Sequence, residues 1–276
     1  MKNIFLCLLV LGYSFYSQGQ ATVQAIWQTD SVLRVPESVK WNPKTKVLYV
    51  ANIEGQPWAK DGKGSISVLS PSGKIMESEW VKDLNAPKGM TLYKQDLYVA
   101  DMNELVQIDI KEGSVIEKHA IPGAEGLNDV TVTDKGKFFI TDSRGKKLYT
   151  WMNGRSEVYL EGLKGPNGVL FHKGQLYLLD AGALYRVTDT KEKVLIAEGM
   201  EGGTDGIEAI NDNSFLVSCW SGTLWLVQTN GTKQLLLDTR ADKINCADIG
   251  YDPEQKKVFV PTFFKNQITA YQLLGW

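Results

Sequence analysis

The chain has 276 residues, of which 43% are hydrophobic and 22% charged, with a formal net charge of −2 and a pI near 5.8. That near-neutral balance gives no electrostatic footprint for nucleic acid or an anionic membrane surface. With 3 Cys and 2 His, a disulfide framework, a Cys-rich zinc site and a His-built catalytic triad are all out of reach. Chemistry must then rest on carboxylates, amides, Lys or a bound metal ion.

Residues 1–19 read as a secretory signal. Lys2 supplies the positive start, residues 4–13 are almost wholly apolar, and Ser17 and Gly19 are small residues at a cleavage spacing. The apolar run falls well short of the ~20 residues a membrane span needs. The expectation is an exported chain, periplasmic or extracellular, that starts near Gln20, has no membrane span and is monomeric. Two Cys remain after cleavage, Cys219 and Cys246, and the sequence leaves their pairing open.

From there one phrase recurs: a small polar start, a short apolar strand, a turn, and a second apolar strand. In chain order the paired strands are residues 37–41 and 47–50, 88–92 and 97–100, 128–132 and 138–141, 167–171 and 176–179, 205–209 and 215–218, and 247–251 and 258–261. The starts lie about 42 residues apart on average. Turn formers separate the pairs, as at Asn42-Pro43, Lys173-Gly174 and Asp252-Pro253. A third strand follows, as at 105–108, 147–150, 183–186 and 223–226, and in most copies a fourth. Asn153-Gly154 and Asn230-Gly231 mark hairpins between third and fourth strands.

Four antiparallel strands repeated every ~40–45 residues are the pattern of a β-propeller blade. Six copies predict an all-β, six-bladed ring over residues 20–276. The last copy ends on its third strand near residues 268–272, and residues 22–27 offer the missing fourth. The N-terminal strand is therefore expected to close the ring and remove its open edges.

The first strand of each blade lines the central channel. The first aligned positions are Glu37, Lys88, Asn128, Asn167, Asp205 and Ala247. Four of the six carry a hard oxygen donor, a set suited first to Ca²⁺, with Mg²⁺, Mn²⁺ or Zn²⁺ as alternatives. Asn or Asp before Gly is also an ordinary turn residue. Four donors at one repeat phase, Glu37 among them, favour a metal site, because capping would not place a Glu there.

The segments 36–38 with Trp41, 126–129, 165–168 and 204–206 resemble the senescence marker protein / gluconolactonase / luciferin-regenerating enzyme family. The likeness covers nearly all of the chain after the signal, through short motifs. It implies a six-bladed propeller with one divalent metal in the channel, held by Glu37, Asn128, Asn167 and Asp205. It also implies lactone hydrolysis with Asp205 as general base. Members acting on sugar lactones often carry an Arg two residues before the first Asn ligand, where this chain has Gly126.

The expected activity is a metal-dependent lactonase or esterase, with a metal-activated water attacking the carbonyl of a small-molecule lactone or ester. Lys88 offers a charge to the substrate oxyanion or snorkels to solvent. The long loop at residues 53–64 carries Trp58 and reads as a lid or a tolerated insertion. Trp58 and Trp220 are candidate substrate contacts; Trp220 and Phe263, at second-strand ends, either rim the channel mouth or, the safer reading, pack between blades. Asp101, Asp142 and Asp180, which end second strands, read as structural. The rival reading is a non-enzymatic propeller with a structural metal that recognises a glycan, peptide or protein. A strictosidine-synthase-like chemistry is a weaker third.

Overall fold

The computed structural model describes residues 20–276. The export signal read at residues 1–19 lies outside the described residues. Among the described residues, 24 strands form six four-stranded antiparallel sheets, and one short 3₁₀ turn at Phe263–Lys265 links two strands of the last sheet. Blades 1 to 5 each take four consecutive strands. The expected six-bladed propeller is the observed fold. No helix among the described residues is long and apolar enough to cross a membrane.

The second strand of each blade is sandwiched between neighbouring blades, so it reads as a continuous apolar run. Asp96–Asp101, Phe138–Asp142 and Ser214–Cys219 are buried almost throughout. Outer strands such as Ser114–Ala120 and Arg155–Leu160 are mostly exposed and polar. Between blades 2 and 3, Phe138 packs edge to face on Trp151 at 5.3 Å and tilted against Tyr98 at 4.5 Å between ring centres. Such a buried aromatic contributes about 3–5 kcal/mol, judged by truncation to Ala. The turn at Asn153-Gly154 has both residues at positive φ, 51° and 78°, the conformation that suits a two-residue hairpin.

Blade 6 is built from both ends of the chain. Thr22–Gln28 pairs antiparallel with Ile268–Leu274 and supplies the fourth strand. Trp27 anchors it: the indole N–H donates to the Pro71 carbonyl at 3.1 Å, and the ring lies 5.9 Å from Phe259. A Cβ at Gly73 would stand 2.5 Å from that indole, so the neighbouring turn needs glycine there.

The inner strand of blade 6 is shorter than the repeat predicts, Gly250–Asp252 instead of residues 247–251. The Ala247 N–H still donates to the Pro261 carbonyl at 3.0 Å within blade 6, but Asp248 turns toward blade 1. The Asp248 N–H donates to the Glu37 carbonyl at 2.9 Å, and the Val39 N–H donates to the Asp248 carbonyl at 3.2 Å. These two bonds form a parallel bridge, Ser38 to Asp248, between the first and last inner strands. They satisfy backbone groups that the blade-6 ladder leaves free.

Candidate functional site

At the first ring position the inner strands are irregular. The register slips between Pro36 and Ser38, Pro87 and Met90, Leu127 and Val130, Pro166 and Val169, and Thr204 and Ile207. Glu37, Lys88, Asn128, Asn167 and Asp205 therefore all sit in β-bulges. A bulge re-aims the side chain it carries and frees a backbone N–H. Hydroxyls on the second strands take up two of the freed groups: Asp129 N–H donates to Thr141 Oγ1 at 2.9 Å, and Gly206 N–H to Ser218 Oγ at 2.8 Å.

Bulging also brings adjacent inner strands close together. A Cβ at Gly168 would lie 2.4 Å from the Asp205 carbonyl oxygen, and one at Gly206 would lie 2.3 Å from Asp248 Oδ1. Glycine after Asn167 and after Asp205 is thus a requirement of blade spacing. Three strand-ending aspartates hold the approach to the ring. Asp101 accepts from the Ala86 N–H, Asp142 from the Gly126 N–H and Asp180 from the Gly165 N–H, all at 2.7–2.9 Å. Each bond falls two residues before a ring position, consistent with the structural reading of these residues.

The site is a cavity of about 270 Å³ at the end of the channel where inner strands begin. Glu37, Lys88, Asn128, Asn167 and Asp205 all line it, with Pro57, Trp58, Trp220, Phe263 and Phe264 around them. Five of the six predicted ring residues thus share one cavity. The sixth, Ala247, is buried with Ile53, Ala86, Met102 and Phe263.

The amide nitrogens are committed to the protein. Asn167 Nδ2 donates to Asp205 Oδ1 at 2.9 Å, and Asn128 Nδ2 donates to Ser143 Oγ at 3.0 Å. Ser143 in turn donates to the Pro166 carbonyl at 2.5 Å. Asn167 Oδ1 and Glu37 Oε2 are buried without a hydrogen-bond partner. Orphaned buried acceptors are costly and rare. Here they are oxygens beside two carboxylates, the donor chemistry a hard divalent cation takes. The residues fit such an ion: Glu37, Asn128, Asn167 and Asp205 could hold it, with Ser143 orienting Asn128.

The electrostatics agree. Burial, opposed in part by Lys88 and reinforced by Asp205, holds the Glu37 carboxyl well above the usual carboxylate range. Burial, with the nearby Asp248 charge, pushes Asp205 up to about 8. Two buried carboxylates without a cation between them resist ionising.

Lys88 is buried, and its ammonium is spoken for. It donates to the Pro57 carbonyl at 2.8 Å and to the Ala86 carbonyl at 3.4 Å, and lies 4.5 Å from the Trp58 ring centre. It thus ties the loop at residues 53–63 down over the channel. Burial pulls its pKa down, against the pull of Glu37. Beneath the ring, the channel narrows to a cavity of about 20 Å³ within a second polar layer. Lys40 pairs with Glu208 at 2.8 Å, Asp129 accepts from the Val169 N–H at 2.7 Å, and Asp248 accepts from Ser38 Oγ at 2.6 Å.

Ser143 and Phe264 went unmarked in the sequence. Ser143 follows a strand end and carries no repeat signature. Phe264 left a trace, as half of a consecutive aromatic pair in a turn. Cys219 and Cys246 are buried, unpaired thiols.

No family model matches the chain, and no curated protein matches it. Solved structures do. A streptogramin B lyase aligns with a TM-score of 0.67 at 14% identity, over 92% of this chain and 98% of its own. A protein solved as a candidate gluconolactonase aligns with a TM-score of 0.70 at 14% identity, over 93% of each chain. A virginiamycin B lyase from Staphylococcus aureus, in a catalytically inactive His-to-Ala form with quinupristin, aligns at 0.65 and 14%, over 92% and 100%. At this identity the likeness establishes the shared fold.

Proposed function

We propose that this protein is an exported, divalent-cation-dependent hydrolase of lactones or esters, of the gluconolactonase-like type. One observation carries the reading. Two buried carboxylates and two amide side chains whose nitrogens are already engaged meet on the floor of an open cavity, with Glu37 Oε2 and Asn167 Oδ1 unsatisfied. Ca²⁺ suits the all-oxygen set best. The leader-like residues 1–19 support export.

Bound there, the cation supplies polarisation of a carbonyl and acidification of water. The chain's residues do the rest. Asn128 and Asn167 fix the geometry because their amide nitrogens are pinned by Ser143 and Asp205. Asp205, with Oδ1 held by Asn167, takes the proton of the attacking water at Oδ2. The water oxygen adds to the carbonyl carbon, the ester C–O bond breaks, and the proton passes to the departing alkoxide. A lactone gives a hydroxy acid, and an open-chain ester gives an acid and an alcohol. The channel beneath is narrow, which leaves the cavity mouth as the wide route in.

The cavity contains no histidine. His119, in the outer strand of blade 2, lies tilted against Trp151 at 4.6 Å, and His172 ends the blade-4 inner strand, away from the mouth. The catalytically inactive form of the lyase neighbour replaces a histidine, and no histidine lines this cavity. This favours hydrolysis through carboxylates.

The test is a panel of lactones and aryl esters assayed in chelator and with Ca²⁺, Mg²⁺, Mn²⁺ or Zn²⁺. Turnover should require a cation, and Asp205→Ala should abolish it. Cation-independent turnover, or full activity in Asp205→Ala, would refute the assignment. Cation binding with no hydrolysis of any substrate would favour a binding propeller.

A further inference from the structure

The cavity above the four oxygen donors has two aromatic jaws. On one side, Trp58 reaches from blade 1 across Lys88 to blade 3. A Cβ at Gly126 would lie 2.8 Å from the Trp58 ring and 2.8 Å from Arg144 Cγ, so the indole occupies space a side chain at residue 126 would need. On the other side stand Trp220 of blade 5 and Phe263 and Phe264 of blade 6. They form an edge-to-face cluster, with Trp220 5.7 Å from Phe263 and 6.1 Å from Phe264.

Both jaws are fixed. Lys88 holds the Trp58 loop through the Pro57 carbonyl. The Trp220 N–H donates to the Gly203 carbonyl at 2.9 Å, and its carbonyl accepts from Asn245 Nδ2 at 2.9 Å. The Phe263–Phe264 turn is tied to blade 1, where Asn266 Oδ1 accepts from the Val35 N–H at 3.0 Å. Yet Trp220 is 40% exposed and Phe264 60% exposed. Large aromatics held rigidly at a cavity mouth but left in water mark a place where an apolar group docks.

Polar groups that could read hydroxyls are scarce. Beyond the four donors, the lining offers Lys88, already committed to two carbonyls, and Thr204, whose Oγ1 accepts from the Gly182 N–H; Arg144, beside Trp58 and Gly126, is exposed and outside the lining. A polyhydroxylated ligand would lose water here without recovering its hydrogen bonds, which is costly.

We infer that the site takes a lactone or ester whose carbonyl end rests on the oxygen donors and whose far end is an aromatic ring or alkyl chain gripped between Trp58 and the Trp220–Phe263–Phe264 cluster. The inference rests on the hydrolase reading for the carbonyl end only. A cavity near 270 Å³ lies just under drug-sized pockets, so the ligand has roughly a dozen non-hydrogen atoms. Each methylene placed between the jaws should tighten binding by about fourfold until the space is full.

Binding and turnover are measured separately. Hydrolysis-resistant lactams serve as binding probes: unsubstituted pyrrolidinone, its phenyl- and hexyl-substituted forms, and gluconolactam, titrated into the Ca²⁺-loaded protein by calorimetry. The substituted lactams should bind at least about tenfold tighter than pyrrolidinone, and gluconolactam no tighter than pyrrolidinone. Trp220→Ala and Phe264→Ala, at exposed positions that the fold tolerates, should each remove most of that gain and leave Ca²⁺ affinity within about twofold. Equal affinity for substituted and plain lactams, or preference for gluconolactam, would overturn the inference. The matching lactones are then assayed for hydrolysis. Selective lactam binding without turnover would sustain the clamp and refute the hydrolase. Turnover that favours a sugar lactone would do the reverse.

Discussion

Asp205 is buried, faces another buried carboxylate, and is pushed up to about 8. An unfolded Asp titrates near ~3.9. Between those values the folded protein holds a proton that the unfolded chain releases. Stability of the cation-free protein should therefore fall as pH rises from about 4 to 8. A shift of about four units at ~1.4 kcal/mol each sets a ceiling of roughly 6 kcal/mol. Glu37 and Asp248 share the same field, so Asp205 alone should account for about 2 kcal/mol at pH 8. Asp205→Asn removes the burden and keeps an oxygen for the bond from Asn167 Nδ2. In chelator at pH 8 this variant should melt about 4–8 °C above wild type, and at pH 5 the two should nearly coincide. Added Ca²⁺ should reverse the order. Wild type gains about 2.7 kcal/mol at one hundred times its dissociation constant, while the variant gains little. Thermal unfolding at both pH values, with and without Ca²⁺, tests this. If Asp205→Asn is no more stable than wild type in chelator at pH 8, the carboxylate is not a buried charge awaiting a cation, and the argument from electrostatics fails.

Other consequences can be checked directly. Ser143→Ala frees the Asn128 amide and should weaken Ca²⁺ binding about 10–100-fold by calorimetry, with little change in the fold. Lys88→Met removes the tie to Pro57 and should speed tryptic cleavage at Lys60 or Lys63 several-fold; an unchanged cleavage rate would show that the loop is held by packing alone. Trp27→Ala strips the anchor of the closing strand and should cost about 2–3 kcal/mol in urea unfolding. Ca²⁺ affinity in wild type should rise steadily between pH 5 and 8, because the ion must displace the protons that burial keeps on Glu37 and Asp205.

Length, composition and a repeat of about 42 residues determined the ring: blade number, strand order and closure by residues 22–27 all follow from periodicity, which is local. The four oxygen donors were legible for the same reason, since equivalent positions of a closed repeat must face one axis. Three features were decided only in three dimensions. The bulges that aim Glu37, Asn128, Asn167 and Asp205 arise where inner strands crowd the axis, and at these four the only mark of that crowding in sequence is the glycine after Asn167 and after Asp205. Ser143 acquires its role because the end of one strand lies beside the start of another blade. The apolar character of the mouth depends on Trp58 crossing from blade 1 into the space over Gly126. A repeat predicts which residues share a phase, but contacts between different phases depend on how loops of unequal length fold back over the ring. Near-neutral charge and scarce His and Cys excluded chemistries at the outset. The fold shows what remains in their place, a cavity with an oxygen-lined floor and aromatic walls.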